Sequence, residues 1–348
     1  MRLKQSADYR TLLWVALAAG LVVVQYIWPP TARFLLPISC YFGIACGTIT
    51  HNHNHCATFA GRRNNNIFGN LLTLFYGYPT IMWIPTHNQN HHRLVNRPGD
   101  ATITWRYTNK HNLFVAGTYF FVSSYFQSEP IKQYIHRAKL YNRQLYGRIL
   151  FQYTFLIGYL ALMLSLGLWL YGLRTGLLLW LAAVVIPPFC SLSIIMFFNY
   201  IQHVHADAWS ERDHSRNFTG KIFNFLFFNN GYHTIHHDHP GMHWSLLPAA
   251  HARIAASIAP QLNERNLLTF LVKQYVLAWI FPRFGTRQLG LEPVAAAAAS
   301  VMNPPSELPN LSVAERCPDA AESSLPIELA DPVELADQVE LADVAHGL

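Results

Sequence analysis

Hydrophobic residues fall into four long runs, at 11–28, 34–50, 150–171 and 176–201. Each approaches or exceeds the ~20 residues that carry a helix across a ~30 Å hydrocarbon core. The runs pair across two short turns, WPPTAR at 28–33 and YGLRTG at 171–176, which predicts two helical hairpins. Pro187 and Pro188 interrupt the fourth run and predict a kink, tolerable where neighbouring helices satisfy the released carbonyls. Two further apolar stretches, 67–84 and 113–126, are rich in aromatic residues and glycine. The second is short for a crossing. A single crossing by the first would put the polar clusters on its two sides on opposite faces of the membrane. Both are therefore read as interfacial or re-entrant.

Composition supports this pattern. Hydrophobic residues make up 51% of the 348-residue chain and charged residues only 13%. An average soluble domain has roughly 25% charged residues, so this chain is poorly equipped to cover a water-facing surface. The charge is also divided along the chain. Residues 1–293 hold 24 of the 25 Lys and Arg but nine of the 19 acids, and the remainder holds ten acids and Arg316. A basic excess can mark nucleic-acid binding or the anionic face of a membrane. With this hydropathy the membrane reading holds and nucleic acid is not expected as a partner. The two short turns carry one base each, Arg33 and Arg174, whereas 51–149 carries eleven and the N-terminus carries Arg2, Lys4 and Arg10. By the positive-inside rule both termini and the long middle segment are cytoplasmic. The opening MRLKQSADYR runs into the first apolar stretch with no small-residue cleavage site, so it reads as a retained anchor.

From about residue 294 the chain changes character. AAAAA is followed by Pro, acids and three copies of a hexad, IELADP, VELADQ and VELADV. Three such hexads cannot bury a core, and 294–348 is expected to be a disordered acidic tail appended to a membrane domain at 1–293.

Histidine carries the chemistry. HNHNH at 51–55 puts His51 and His55 on one helical face. HNQNHH at 87–92 puts His87 and His91 on one face with His92 beside them. HTIHH at 233–237 gives His233, His236 and His237 an i, i+3, i+4 spacing, and NYIQHVHAD at 199–207 adds His203 at the end of the fourth run. A single HxxxH is weak evidence. Three clusters beside apolar runs, all on one expected side of a membrane, point to metal. Neutral imidazole suits Zn, Cu, Fe and Ni. Nine imidazoles overfill a site that zinc completes with four ligands, and two metals with four or five each fit the count. The carboxylate-bridged bundle with paired Glu-x-x-His motifs is excluded, because only Glu211–His214 has that spacing. The five cysteines form no CxxC, which removes zinc ribbons and redox dithiols.

The order HxxxH, HxxxHH, NxxxH, HxxHH resembles the integral-membrane fatty acid desaturase superfamily, over roughly 10–285. The second cluster with its trailing RPGDAT, and NYIQH, look most like bacterial membrane alkane hydroxylases, and NNGYHTIHHDHPGMHW looks like bacterial acyl desaturases. The resemblance implies an all-α integral membrane fold: four spans in two hairpins, a cytoplasmic helical cap carrying the histidine boxes, and interfacial helices. It implies a di-iron centre with His51, His55, His87, His91, His92, His203, His233, His236 and His237 as ligands, and Asn199 holding an iron-bound water. The second cluster is one residue longer than the desaturases' commoner HxxHH. Asp100, Asp207 and Asp238 abut the clusters and are candidates to accept a ligand imidazole's other N–H. His53 should face away from its two neighbours.

The implied activity is O2-dependent oxidation of an acyl or alkyl chain drawn from the lipid bilayer, at the bacterial inner membrane. Electrons would come from a separate ferredoxin, rubredoxin or cytochrome b5-like protein. Loss of a second hydrogen gives desaturation, oxygen rebound gives hydroxylation, and attack near the carboxyl end gives decarboxylation to a terminal alkene. The desaturase-like third cluster favours the first. A histidine-rich metal transporter is the distant rival. Such a protein places ionisable groups along a mid-membrane path, whereas these four runs contain no histidine.

Overall fold

The computed structural model describes residues 2–302. It is mostly helical. Helix α1 (Asp8–Ile27) turns through a 3-10 segment, Pro29–Thr31, into α2 (Ala32–His55). Then come α3 (Arg62–Tyr76), a π-helix at Ile84–His91 that runs into one α turn, α4 (His92–Leu94), and the long α5 (Leu113–Tyr141). They are followed by α6 (Arg143–Trp180), α7 (Ile186–His203), α8 (Lys221–Leu226) and α9 (His233–Asp238). The only strands among the described residues are a parallel pair, Asn217–Phe218 with Asn263–Glu264.

Three helices are long and apolar enough to cross a membrane: Asp8–Ile27, Pro29–His55 and Arg143–His203. The third is folded back on itself. At Gly172 the backbone leaves helical values (φ 72°, ψ 177°), a conformation open to glycine. Beyond it Trp180 donates its indole N–H to Leu160 O at 3.0 Å, which a straight helix would hold about 30 Å away. The turn expected at 171–176 is therefore present. Pro187 and Pro188 open α7, and neither can donate a backbone hydrogen bond. The preceding turn widens into a π-helix, Leu181–Val185, in place of a simple kink.

The stretch expected at 67–84 is not one straight helix. Arg62–Tyr76 and Thr80–Leu94 meet at 93°. The stretch at 113–126 belongs to α5, which continues to Tyr141. The boundary expected near 294 falls at the start of a helix, Pro293–Met302. The three hexads lie outside the described residues.

Two of these helices bring the polar clusters together. α2 packs on α7 through Gly43 and Gly47, where side chains are excluded. A Cβ at Gly43 would lie 2.5 Å from Pro187 O, and one at Gly47 would lie 2.5 Å from the Ser191 hydroxyl. This close crossing delivers His51 and His55 from the end of α2, and Asn199 and His203 from the end of α7, to one place. Buried Arg216 holds that end of α7 by donating from Nη1 to Ile201 O (2.5 Å) and Val204 O (3.1 Å). Exposed Leu13, Val23, Ile27, Leu162, Trp169 and Leu173 give the hairpins an apolar outer surface.

Candidate metal centre

α9 has six residues, too few to be stable alone, so its position must come from tertiary bonds. Thr234 supplies them: its N–H donates to Asn217 Oδ1 (3.0 Å) and its hydroxyl to Ser215 O (3.1 Å). The π-helix is set by Pro85 at its start and by Asn88, whose amide donates to Asn54 O at 3.0 Å. With α2 and α7 these two elements turn all nine candidate histidines inward.

The nine divide into two groups. His51, His55, His87, His92 and His236 form one, and His91, His203, His233 and His237 form the other. Within each, one ring nitrogen per residue lies within 4.8 Å of all the others. The groups interleave along the chain, with His91 and His92 in different groups, as are His236 and His237. They also abut, since the rings of His92 and His237 are 4.4 Å apart.

In the first group four Nε2 atoms close a ring. His51–His87 is 3.0 Å, His87–His92 3.1 Å, His92–His236 3.0 Å and His236–His51 3.0 Å. In the second, His203–His233 is 2.9 Å, His233–His237 3.1 Å and His237–His203 3.1 Å, a triangle. A neutral imidazole nitrogen carries either a hydrogen or a lone pair. Around a triangle these cannot alternate, so at least one pair must face like with like. Hydrogen bonding does not explain the arrangement, but a shared cation does. Nitrogens bound about 2.1 Å from one metal at right angles are about 3.0 Å apart. The residues therefore fit a metal in each group.

The outer nitrogens set the tautomers. His91 Nδ1 donates to Asp100 Oδ2 at 2.9 Å. His203 Nδ1 donates to the His214 carbonyl at 3.1 Å. His51 Nδ1 donates to Asn52 Oδ1 at 3.2 Å, and the Asn52 amide nitrogen faces Phe228 O. Each bond leaves the Nε2 lone pair inward, as a metal ligand requires. Burial alone would raise the Asp100 carboxyl, but His91 and the Thr102 N–H and O–H beside it hold it below the usual carboxylate range. Burial, and then the surrounding imidazoles, push His233, His236 and His237 well below the ordinary histidine value. These rings are neutral near pH 7.

A cavity open to the surface reaches His51, His87 and His233. Tyr76, Trp83, Ile195 and Phe198 supply much of its apolar wall, and Asn199 and Gln202 add amides.

The fatty acid desaturase family model matches residues 26–269. The chain belongs to the fatty acid desaturase family. The matched region contains every histidine of both groups. No curated protein and no solved structure matches the chain. Membership makes this family member an oxidoreductase, and its apolar helices make it a membrane protein.

Two of the three acids sit differently from expectation. Asp100 touches a ligand candidate directly. Asp238 acts one step out: it accepts from Arg212 at 2.7 Å and lies 3.4 Å from His214 Nε2, whose ring packs on His237. Asp207 accepts from Trp209 N at 3.1 Å and lies against Gly290, where it closes a loop. His53 points away, with Nδ1 at 2.9 Å from the Thr58 hydroxyl and Nε2 donating to Asn65 O at 3.3 Å. Sequence reasoning missed His214, whose contribution is a backbone carbonyl, and Thr102 and Tyr119, whose residue types carry no signal in a single sequence. His111 lies outside both groups and bonds Thr286 and Tyr275 at 2.7 and 2.8 Å.

Proposed function

We propose that the chain is a membrane-bound, O2-dependent fatty acid desaturase with a di-iron centre. The observation that carries this reading is the pair of all-histidine groups, five and four, opening on one largely apolar cavity. In the reading, His51, His55, His87, His92 and His236 hold one iron and His91, His203, His233 and His237 hold the other. When bound, the irons supply the O2-dependent oxidation that an unactivated C–H bond requires and that no side chain here can perform.

The protein's own part is to bind and exclude. Tyr76, Trp83, Ile195 and Phe198 seat an alkyl chain and keep water from it. Asp100, the His214 carbonyl and Asn52 hold three imidazoles in the ligating tautomer. The overall change removes two hydrogens from adjacent carbons and leaves a double bond. With two further electrons and two protons, O2 becomes two waters. Those electrons come from a separate protein, and the active site and both termini face the cytoplasm of a bacterial cell. Residues 1–293 form the enzyme and 294–348 a separate tail. The test is lipid analysis of one host expressing the chain or its His236→Ala variant. A new unsaturated acyl species present only with the unaltered chain is expected. Hydroxylated products or a terminal alkene in its place would move the reading to those reactions. No new lipid, with zinc in place of iron in the purified protein, would overturn it.

A further inference from the structure

Asn199 stands one turn before His203 on α7 and lines the cavity. Its amide presents a donor on one side and an acceptor on the other. Nδ2 donates to the Tyr119 hydroxyl at 2.8 Å. That hydroxyl spends its own hydrogen on the Thr102 carbonyl, so it receives Asn199 through a lone pair. The polarity of this chain is fixed, because a carbonyl can only accept. The nitrogen of Asn199 is thereby committed to α5, and Oδ1 is left for the cavity.

Tyr119 is well placed to enforce this. It is buried, and its ring packs on Tyr200 with centroids 5.0 Å apart. Its other partner, Thr102, belongs to the segment that holds His91. Thr102 N and Oγ1 both donate to Asp100 Oδ1 at 2.7 Å, and Asp100 Oδ2 takes the His91 Nδ1 proton. One hydroxyl thus joins the Asn199 amide to the support of a histidine in the same group as His203.

We propose that Tyr119 is a positioning residue that locks the Asn199 amide with Oδ1 toward the cavity, as the acceptor for a water held against the His203 group. The inference rests on the metal-centre reading above and adds a specific requirement. Without the Tyr119 hydroxyl the amide is free to turn, and its NH2 can take the place of the oxygen.

The test uses the full chain in detergent or nanodiscs, with Tyr119→Phe, Asn199→Ala and the double variant. The readouts are metal content, the visible d–d spectrum of the cobalt(II)-substituted protein, and kcat and KM. Tyr119→Phe should keep its metal and change the cobalt spectrum as Asn199→Ala does. It should lower kcat about 10–100-fold at unchanged KM, the range of groups that orient a metal site from outside. In the Asn199→Ala background it should do nothing more. Asn199→Asp, which presents an oxygen in either rotamer, should make Tyr119→Phe silent. Additive losses, an unaltered cobalt spectrum, or a Tyr119→Phe chain that fails to fold with or without Asn199→Asp would each overturn the proposal. The cobalt spectrum and metal count do not depend on desaturation. If they behave as expected while no lipid product forms, the desaturase reading fails and the role of Tyr119 stands.

Discussion

The Nε2 atoms of His87 and His92 lie 3.1 Å apart, although α-helical winding would point residues five apart about 140° away from each other. The π-helix at Ile84–His91 is the reason, since its i→i+5 hydrogen bonds bring residues five apart alongside. It also absorbs the residue by which HNQNHH exceeds a shorter HxxHH box. His91 is turned out of this pair and joins His203, His233 and His237.

Adjacent histidines should therefore empty different sites. His91→Ala and His203→Ala each remove a ligand from one group, so combining them should cost no more than that one metal. His91→Ala with His92→Ala should cost both. Elemental analysis of the purified single and double variants checks this. Equal metal loss in the two double variants would contradict the division of the nine.

His53→Ala should keep both metals, because His53 faces Thr58 and Asn65. Its cost should fall on stability, about 1–3 kcal/mol, from leaving a buried donor or acceptor unpaired. Thermal unfolding with a parallel metal assay separates the two effects. A His53→Ala protein that unfolds normally but lacks metal would refute the assignment.

The orientation of His53 and the convergence of His51, His55, His203, His233, His236 and His237 were legible, because α2, α7 and α9 carry those residues on ordinary α-helix. The partition into groups was not, because π winding depends on tertiary contacts such as Asn88 to Asn54. The hairpin at Gly172 was legible as a Gly-containing turn between apolar runs. The 93° bend between Arg62–Tyr76 and Thr80–Leu94 fits the interfacial or re-entrant reading of 67–84, which followed from the histidine clusters on its two sides. Among the acids, Asp100 lies on His91, whereas the Asp207 carboxylate turns back onto its own loop, a difference that proximity in sequence does not carry.

Acid should destabilise the metal-free protein. His233, His236 and His237 are held neutral by burial, with values in the folded chain well below 6.5. Between 6.5 and those values the unfolded chain binds protons that the folded chain does not. Stability therefore rises with pH through this window, by up to about 1.4 kcal/mol per pH unit for each histidine, and is fully present above it. Unfolding midpoints in chelator should fall from pH 7.5 to 5.5. A flat profile would show that these imidazoles are hydrated in the metal-free state.

Gly43 tests whether helix packing, with no ligand touched, sets the metal geometry. A Cβ there would meet the Pro187 carbonyl, which belongs to the backbone and cannot rotate aside. At Gly47 the nearest obstacle is the Ser191 hydroxyl, the end of a side chain that can turn. At Gly20 there is nothing within 4 Å. Ala should therefore be tolerated at Gly20, be intermediate at Gly47, and push α2 off α7 at Gly43. Overpacking of this kind costs about 1–3 kcal/mol. Its wider effect follows from leverage, since α2 carries His51 and His55 and α7 carries His203, which serve different groups. Separating the helices should pull both groups apart together, so Gly43→Ala should lower both metals in parallel where any single histidine variant lowers chiefly one. If Gly43→Ala loses stability but retains its full complement of metal, the crossing of α2 and α7 is not what fixes the geometry of the centre.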